Sequence, residues 1–312
     1  MKQMTFQQLT DELMRLYPQG KYAEALDVVE RNADQFPEQL ARTTFWKMCL
    51  LSLCGRTDDV ISIFQHGLDS GLWWSESQFI DTDLDNVRDL PEFKRLMTES
   101  NRKSIEMQTH IEPARMVLLP DDKTGELPLL VALHGRNGNK DSNLEYWEIA
   151  RQRGWLVLLP QSRQALYQGG YHWDQNEKGL EDILMHFHEI ANAYNIDRNR
   201  VIVAGFSQGS GMSIYTALSG KIKAHGFIGV GTFMLEPDSL LPLARQAQAV
   251  RGYFITGEKD QTLDKARAIQ KILKENNIQL AEEVYPDLGH EFPSDFERTF
   301  DNAVDFIFKE QE

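Results

Sequence analysis

The sequence predicts an α/β fold, a mostly parallel sheet with helices on both faces, preceded by a small all-α domain built from repeated helical pairs. Three observations carry this. From about residue 106 onward short apolar runs alternate with helical stretches, before that point the apolar spacing is helical throughout, and two segments of the front half align at an offset of 35 residues. Strands that alternate with helices need crossover connections, which give a parallel sheet covered on both faces. The change of pattern divides the chain into residues 1–105 and 106–312.

In the front half, residues 20–29 align with residues 55–64: Gly20 with Gly55, Ala25 with Val60, Leu26 with Ile61, Val28 with Ile63 and Val29 with Phe64. The pattern resembles degenerate tetratricopeptide units, whose period is about 34 residues. Two such units are fewer than usually stand alone. This half is therefore expected to pack on the rest of the chain or on a second copy, as a scaffold or as a surface for a protein partner.

In the second half strands are expected at 115–119, 129–133, 155–159, 201–204, 227–230, 253–256 and 281–285. Helices are expected at 144–153, 180–194, 209–219, 263–276 and 296–308. Sites in such sheets collect beyond the carboxyl ends of the strands, so candidate residues are sought there.

Composition narrows the partners. The 312 residues include 33 Lys and Arg against 47 Asp and Glu, a formal net charge of -14, which disfavours nucleic acid or an anionic membrane surface as the main partner. The first residues lack the apolar stretch of a signal peptide, and no run of 18 apolar residues follows. The expectation is a soluble, cytoplasmic protein with no membrane span. Cys49 and Cys54, the only cysteines, lie five apart in an expected helix and face different ways, so a disulfide framework is not expected.

Gly205-Phe206-Ser207-Gln208-Gly209 fits G-x-S-x-G. At ordinary glycine and serine frequencies a chain of this length meets that pattern by chance roughly one time in ten, so its surroundings decide. An apolar strand ends at Ala204 and a helix begins at Gly209, which places Ser207 on a sharp strand-to-helix bend where the pattern has a mechanical meaning. Serine needs a base to take its proton, and the base needs a third group to hold its tautomer. Two later strand ends supply them: one runs into Gly257-Glu258-Lys259-Asp260, the other into Leu288-Gly289-His290. Asp260 could instead cap the following helix, in which case Glu258 is the replacement acid. The loop after an earlier strand, Leu133-His134-Gly135-Arg136-Asn137-Gly138, is glycine-rich. Together with the amide of Gln208, the amide of Arg136 is expected to receive a developing oxyanion, with Asn137 the alternative and His134 structural.

"LHGRNG", "GFSQGS", "GEKD" and "LGHEF", in the order Ser, Asp, His, resemble the α/β-hydrolase superfamily, in particular its phospholipase/carboxylesterase, acyl-protein-thioesterase-like branch. The resemblance covers about residues 115–310. It implies a serine esterase that cleaves carboxylic esters or thioesters, with Ser207, Asp260 and His290 catalytic and no cofactor. Peptidase chemistry on the same fold, or a partner-binding protein with an inert hydrolase domain, are the alternatives. Arg136-Asn137 and Ser210 depart from the branch, and the helical front half lies outside it.

Two metal-like patterns fail. The run from Asp81 to Asn86, with Glu92, imitates a calcium loop, but Asn86 stands where glycine is needed. His188-Glu189 opens like a zinc motif, but Asn192 stands where its second histidine is needed. No metal is expected. The stretch 160–174 reads as a long polar and aromatic loop at the carboxyl edge, and Tyr167, Tyr171 and Trp173 are its candidates for a substrate pocket. Residues 232–243, with Phe233, Met234 and Leu235, would form the opposite wall.

Overall fold

A computed structural model describes residues 4–247 and 250–309. The chain divides into two compact units. The first is Met1–Ile111 together with Ala165–Gly170, and the second is Glu112–Gln164 together with Tyr171–Glu312.

The first unit holds α1 (Phe6–Leu16), α2 (Tyr22–Asn32), α3 (Leu40–Leu53), α4 (Thr57–Asp69) and α5 (Pro91–Gln108). The 35-residue alignment has a backbone counterpart. Gly20 and Gly55 take φ of 69° and 71°, the left-handed conformation in which glycine carries no Cβ penalty. The next amide closes the same bond each time, Lys21 N–H to Leu16 O at 3.3 Å and Arg56 N–H to Leu51 O at 2.9 Å. α1–α2 and α3–α4 are therefore two pairs joined by the same turn. Phe64 of α4 lies against Trp74, Phe79 and Phe93 with ring centroids 5.7, 5.1 and 5.3 Å away, and the buried Trp74 indole N–H donates to Ala41 O at 3.0 Å.

The second unit carries a seven-stranded sheet. Its elements are β1 (Ala114–Leu118), β2 (Leu127–Leu133), α6 (Leu144–Gln152) and β3 (Leu156–Gln161), then the hairpin β4 (Gln164–Tyr167) and β5 (Gly170–His172). There follow α7 (Asn176–Ala193), β6 (Ile196–Phe206), α8 (Gln208–Leu218), β7 (Gly226–Val230), α9 (Leu241–Ala244), β8 (Arg251–Gly257), α10 (Leu263–Glu275), β9 (Gln279–Tyr285) and α11 (Phe296–Phe308). The strand order is β1-β3-β2-β6-β7-β8-β9; β1 runs antiparallel to β3 and the other neighbours are parallel.

Strand alternation builds a core on each face. Leu129, Val131 and Leu133 of β2 point with Val201 and Val203 toward Ile183, Phe187 and Met212. Leu130, Ala132, Ile202 and Ala204 point the other way, toward Trp147, Phe296 and Phe300. Each buried Leu or Phe side chain stabilises by roughly 1.5–3 kcal/mol, and both faces being apolar explains why these strands read as continuous apolar runs rather than as alternating ones. The stretch 160–174 differs from the sequence expectation: β3 runs on to Gln161 and residues 164–172 form the β4–β5 hairpin, whose tip, Ala165–Gly170, belongs to the first unit.

Candidate active site

β6 ends at Phe206 and α8 begins at Gln208, so Ser207 alone makes the bend. Its φ of 54° and ψ of -122° are strained for a residue with a Cβ. Two glycines allow this. A Cβ on Gly205 would lie 2.3 Å from the carbonyl carbon of Gly209, and one on Gly209 would lie 2.4 Å from the carbonyl oxygens of Leu133 and His134. The spacing of the motif is thus the spacing at which strand, helix and the neighbouring loop pass without side chains between them. Ser210 replaces a third glycine at no steric cost, because it faces Gly229 and shares a 2.7 Å hydrogen bond with Thr232 Oγ1.

Ser207 Oγ lies 2.8 Å from His290 Nε2. His290 Nδ1 lies 2.8 Å from Asp260 Oδ2 and 3.0 Å from Oδ1. Asp260 Oδ1 also accepts from the Thr262 amide at 2.7 Å and from its hydroxyl at 2.8 Å. Asp260 thus holds Thr262, the residue just before α10, and faces the histidine ring, and it does not cap the helix, whose N-cap Thr262 has no side-chain cap bond. Glu258 is exposed. Burial pushes the Asp260 carboxyl upward, but the His290 ring and the two Thr262 donors outweigh it and hold the group below the usual carboxylate range. Gly231, φ 52°, gives the pair room: a Cβ there would stand 3.1 Å from His290 Nδ1 and 3.2 Å from Asp260 Oδ2. Phe206 packs on the His290 ring at 4.9 Å and on Phe292 at 5.1 Å.

The loop after β2 runs beside the serine; a Cβ on Gly135 would be 3.3 Å from Ser207 Cβ. His134 is buried and bridges this loop to β3. Its Nδ1–H donates to Gly135 O at 2.8 Å and its Nε2 accepts from the Ser162 amide at 3.2 Å. Burial lowers its pKa to about 4, so the ring is neutral and structural, as the sequence suggests. Asn137 takes φ 65°, a conformation asparagine tolerates better than other side-chain-bearing residues. That accounts for asparagine at a position where glycine is common.

Of the expected pocket residues, Tyr167 is corrected. Its side chain is 2% exposed and lies with Leu166 in the apolar core of the first unit, so burial in that core, not a substrate, occupies its ring. Trp173 is also buried, and its indole N–H donates to His134 O at 2.8 Å. It lines, with Asp174, Asn176, Gln208, Met212, Met234, Leu235 and Glu236, a cavity of about 50 Å³. Met234 and Leu235 line this cavity and Phe233 does not. Tyr171 is half-buried and its amide donates to Gly138 O at 2.9 Å.

Sequence reasoning missed Asp174, Thr262 and Gly231. Only Gly231 left a signal, as a glycine one residue past a strand end. Among the described residues Cys49, Asp81 and Asp83 place possible metal-ligand atoms within 4.8 Å of one another, in the first unit. Asp83 is occupied there by the hydroxyl of Tyr17.

The sheet order, the serine on a strand-to-helix bend and the covering helices define an α/β-hydrolase. Residues 169–309 match the family described as Phospholipase/Carboxylesterase, and residues 5–108 match the one described as A/B hydrolase-like, N-terminal domain. The residues whose pattern resembles tetratricopeptide units are thus matched to a hydrolase N-terminal domain. The chain is 32% identical over 107 residues, 33% of its own length and 15% of the other, to the bifunctional acetylxylan esterase/xylanase XynS20E of Neocallimastix patriciarum. It is 23% identical over 147 residues, 44% of its own length and 58% of the other, to acyl-protein thioesterase 1 of Neurospora crassa. It spans only those shares, 15% and 58%, of these two curated relatives. An uncharacterized protein from Bacillus cereus ATCC 10987, known from a crystal structure, matches 99% of this chain over 100% of its own, with 26% identity and a TM-score of 0.56. No helix among the described residues is long and apolar enough to cross a membrane.

Proposed function

We propose that the chain is a serine esterase that cleaves carboxylic esters or thioesters through an acyl-enzyme. The observation that carries the reading is the chain of contacts from Ser207 Oγ to His290 Nε2 at 2.8 Å and from His290 Nδ1 to Asp260 at 2.8 Å. In this reading His290 takes the serine proton as Oγ attacks the ester carbonyl, and Asp260 holds the ring with Nδ1 protonated and Nε2 facing the serine. The amides of Gln208 and Arg136 receive the oxyanion of the tetrahedral intermediate. His290 then protonates the departing alcohol or thiol and later activates the water that releases the acid.

Trp173 and Tyr171 are retained as candidate substrate contacts. A role in ester cleavage fits the names of the two relatives, one an acetylxylan esterase and the other an acyl-protein thioesterase.

The test is labelling of the pure protein with a fluorophosphonate and mass mapping of the modified peptide, beside Ser207→Ala. Labelling at Ser207 that is lost in the variant supports the reading. A folded protein that is not labelled at Ser207 overturns it.

A further inference from the structure

Asp174 lies between β5 and α7, and no step of the proposed mechanism uses it. Its Oδ1 accepts from Arg136 Nη1 at 2.8 Å and from Gln208 Nε2 at 2.6 Å, and its Oδ2 lies 3.0 Å from the same Arg136 nitrogen. His172 Nδ1 stands 2.8 Å from Oδ2. Gln208 is anchored at its other end as well, its Oε1 accepting from the Trp173 amide at 3.0 Å. One carboxylate therefore joins two side chains from separate elements: Arg136 on the loop after β2, and Gln208 at the head of α8. These are the two residues whose backbone amides are assigned to the oxyanion.

We infer that Asp174 is a positioning residue that sets the separation and aim of the two oxyanion amides by tying together the side chains of Arg136 and Gln208. The inference rests on the proposed esterase reading. The loop carrying Arg136 takes a left-handed residue at Asn137 and is not a regular element, so its amide needs a tether that a strand amide would not. Asp174 suits the task because it is only partly exposed, 19% against 26% for Arg136, and charge-assisted hydrogen bonds in that setting are short and directional. Burial pushes the Asp174 carboxyl upward, yet the His172 ring, the Arg136 guanidinium and the Gln208 amide together hold it well below the usual range. The link is thus charged at any pH at which an esterase of this kind would work.

The structure explains why a neutral amide cannot replace it. In Asp174→Asn the oxygen at the Oδ1 position can still face both donors, but the charge that strengthens both bonds is gone and an NH₂ group stands at the Oδ2 position, 3.0 Å from the donating Arg136 nitrogen, so the Arg136 tether is pushed open while the side-chain volume stays the same. Removing an oxyanion donor costs about 10²–10³ in kcat, and a displaced one costs part of that.

The experiment measures kcat and KM on p-nitrophenyl acetate, and affinity for a trifluoromethyl ketone analogue of the tetrahedral intermediate, in the full chain. Wild type, Asp174→Asn, Gln208→Met and Ser207→Ala are compared. Gln208→Met keeps the backbone amide and the side-chain length but removes the tether. The expected result is a kcat at least tenfold lower in both tether variants, KM within threefold, and analogue affinity lower by the same factor as kcat. A kcat within threefold of wild type in Asp174→Asn, or a loss carried by KM with analogue affinity unchanged, overturns the inference. Should Asp174→Asn fail to fold, Gln208→Met alone decides by the same thresholds. If turnover in wild type equals that in Ser207→Ala, it is the esterase reading that fails and not the role of Asp174.

Discussion

Asp260→Asn should reduce kcat by about 10³–10⁴ with little change in stability, and the structure says why an isosteric change is so costly. Asp260 Oδ1 is pinned by two donors of Thr262, its amide at 2.7 Å and its hydroxyl at 2.8 Å. The backbone amide cannot turn into an acceptor, so the single oxygen of an asparagine stays on that side. Its NH₂ group then occupies the Oδ2 position, 2.8 Å from His290 Nδ1 and nearer than Oδ1 at 3.0 Å, and a donor there favours the tautomer in which Nδ1 accepts. The ring proton moves to Nε2, which faces Ser207 Oγ at 2.8 Å and can no longer take its proton. A wrong tautomer of this kind costs about 10⁴ in serine proteases; at about 1.36 kcal/mol per decade, 10³–10⁴ corresponds to roughly 4–5.5 kcal/mol of barrier. Initial rates on p-nitrophenyl acetate near neutral pH, with thermal unfolding run in parallel, measure it. A loss smaller than tenfold in a variant that melts like wild type would refute the reasoning, because the ring would then not depend on Asp260 for its tautomer.

Other consequences can be measured on the same preparation. Ser207→Gly should abolish turnover and yet stabilise by about 1 kcal/mol: relief of a strained backbone worth about 1–3 kcal/mol exceeds the roughly 0.4–1 kcal/mol of added unfolded-state entropy. Urea titration showing lower stability than Ser207→Ala would count against strain at the bend. Gly205→Ala should cost at least about 3 kcal/mol, since the new Cβ meets backbone atoms of Gly209 at 2.3 Å that the bend cannot move; a soluble variant melting as wild type contradicts that. His134, with a folded pKa of about 4 against about 6.5 unfolded, imposes no penalty above about pH 6.5. As pH falls from about 6.5 to 4 the unfolded state gains the proton first, and about 3 kcal/mol of stability is lost. His134→Asn should lack that part of the slope in urea titrations across this window, and identical slopes would remove the cause. Deleting residues 1–105 should give insoluble protein, because Leu166 and Tyr167 would lose the apolar core that buries them; a monodisperse product with unchanged ester turnover would show otherwise.

The class of fold and the bend at the serine were legible along the chain. Short apolar runs without alternation, bounded by turn residues, fit strands buried on both faces, and Gly205, Ser207 and Gly209 at their spacing describe a passage too narrow for side chains. The order of Ser207, Asp260 and His290 along separate strand ends was readable for the same reason, since parallel strands deliver their ends to one edge. Partners chosen across the fold are another matter. The aromatic stretch 160–174 reads as one loop, but it folds as a hairpin whose tip serves a different core, so Tyr167 and Trp173, six residues apart, fill unrelated interiors. Asp174 carries no local signal either. Its meaning comes from Arg136, 38 positions earlier, and Gln208, 34 positions later, which the sheet order brings to the same carboxylate. Periodicity and turn chemistry act between near neighbours and can be read along the chain, whereas a charge bridging two loops exists only once the strands between them have taken their places.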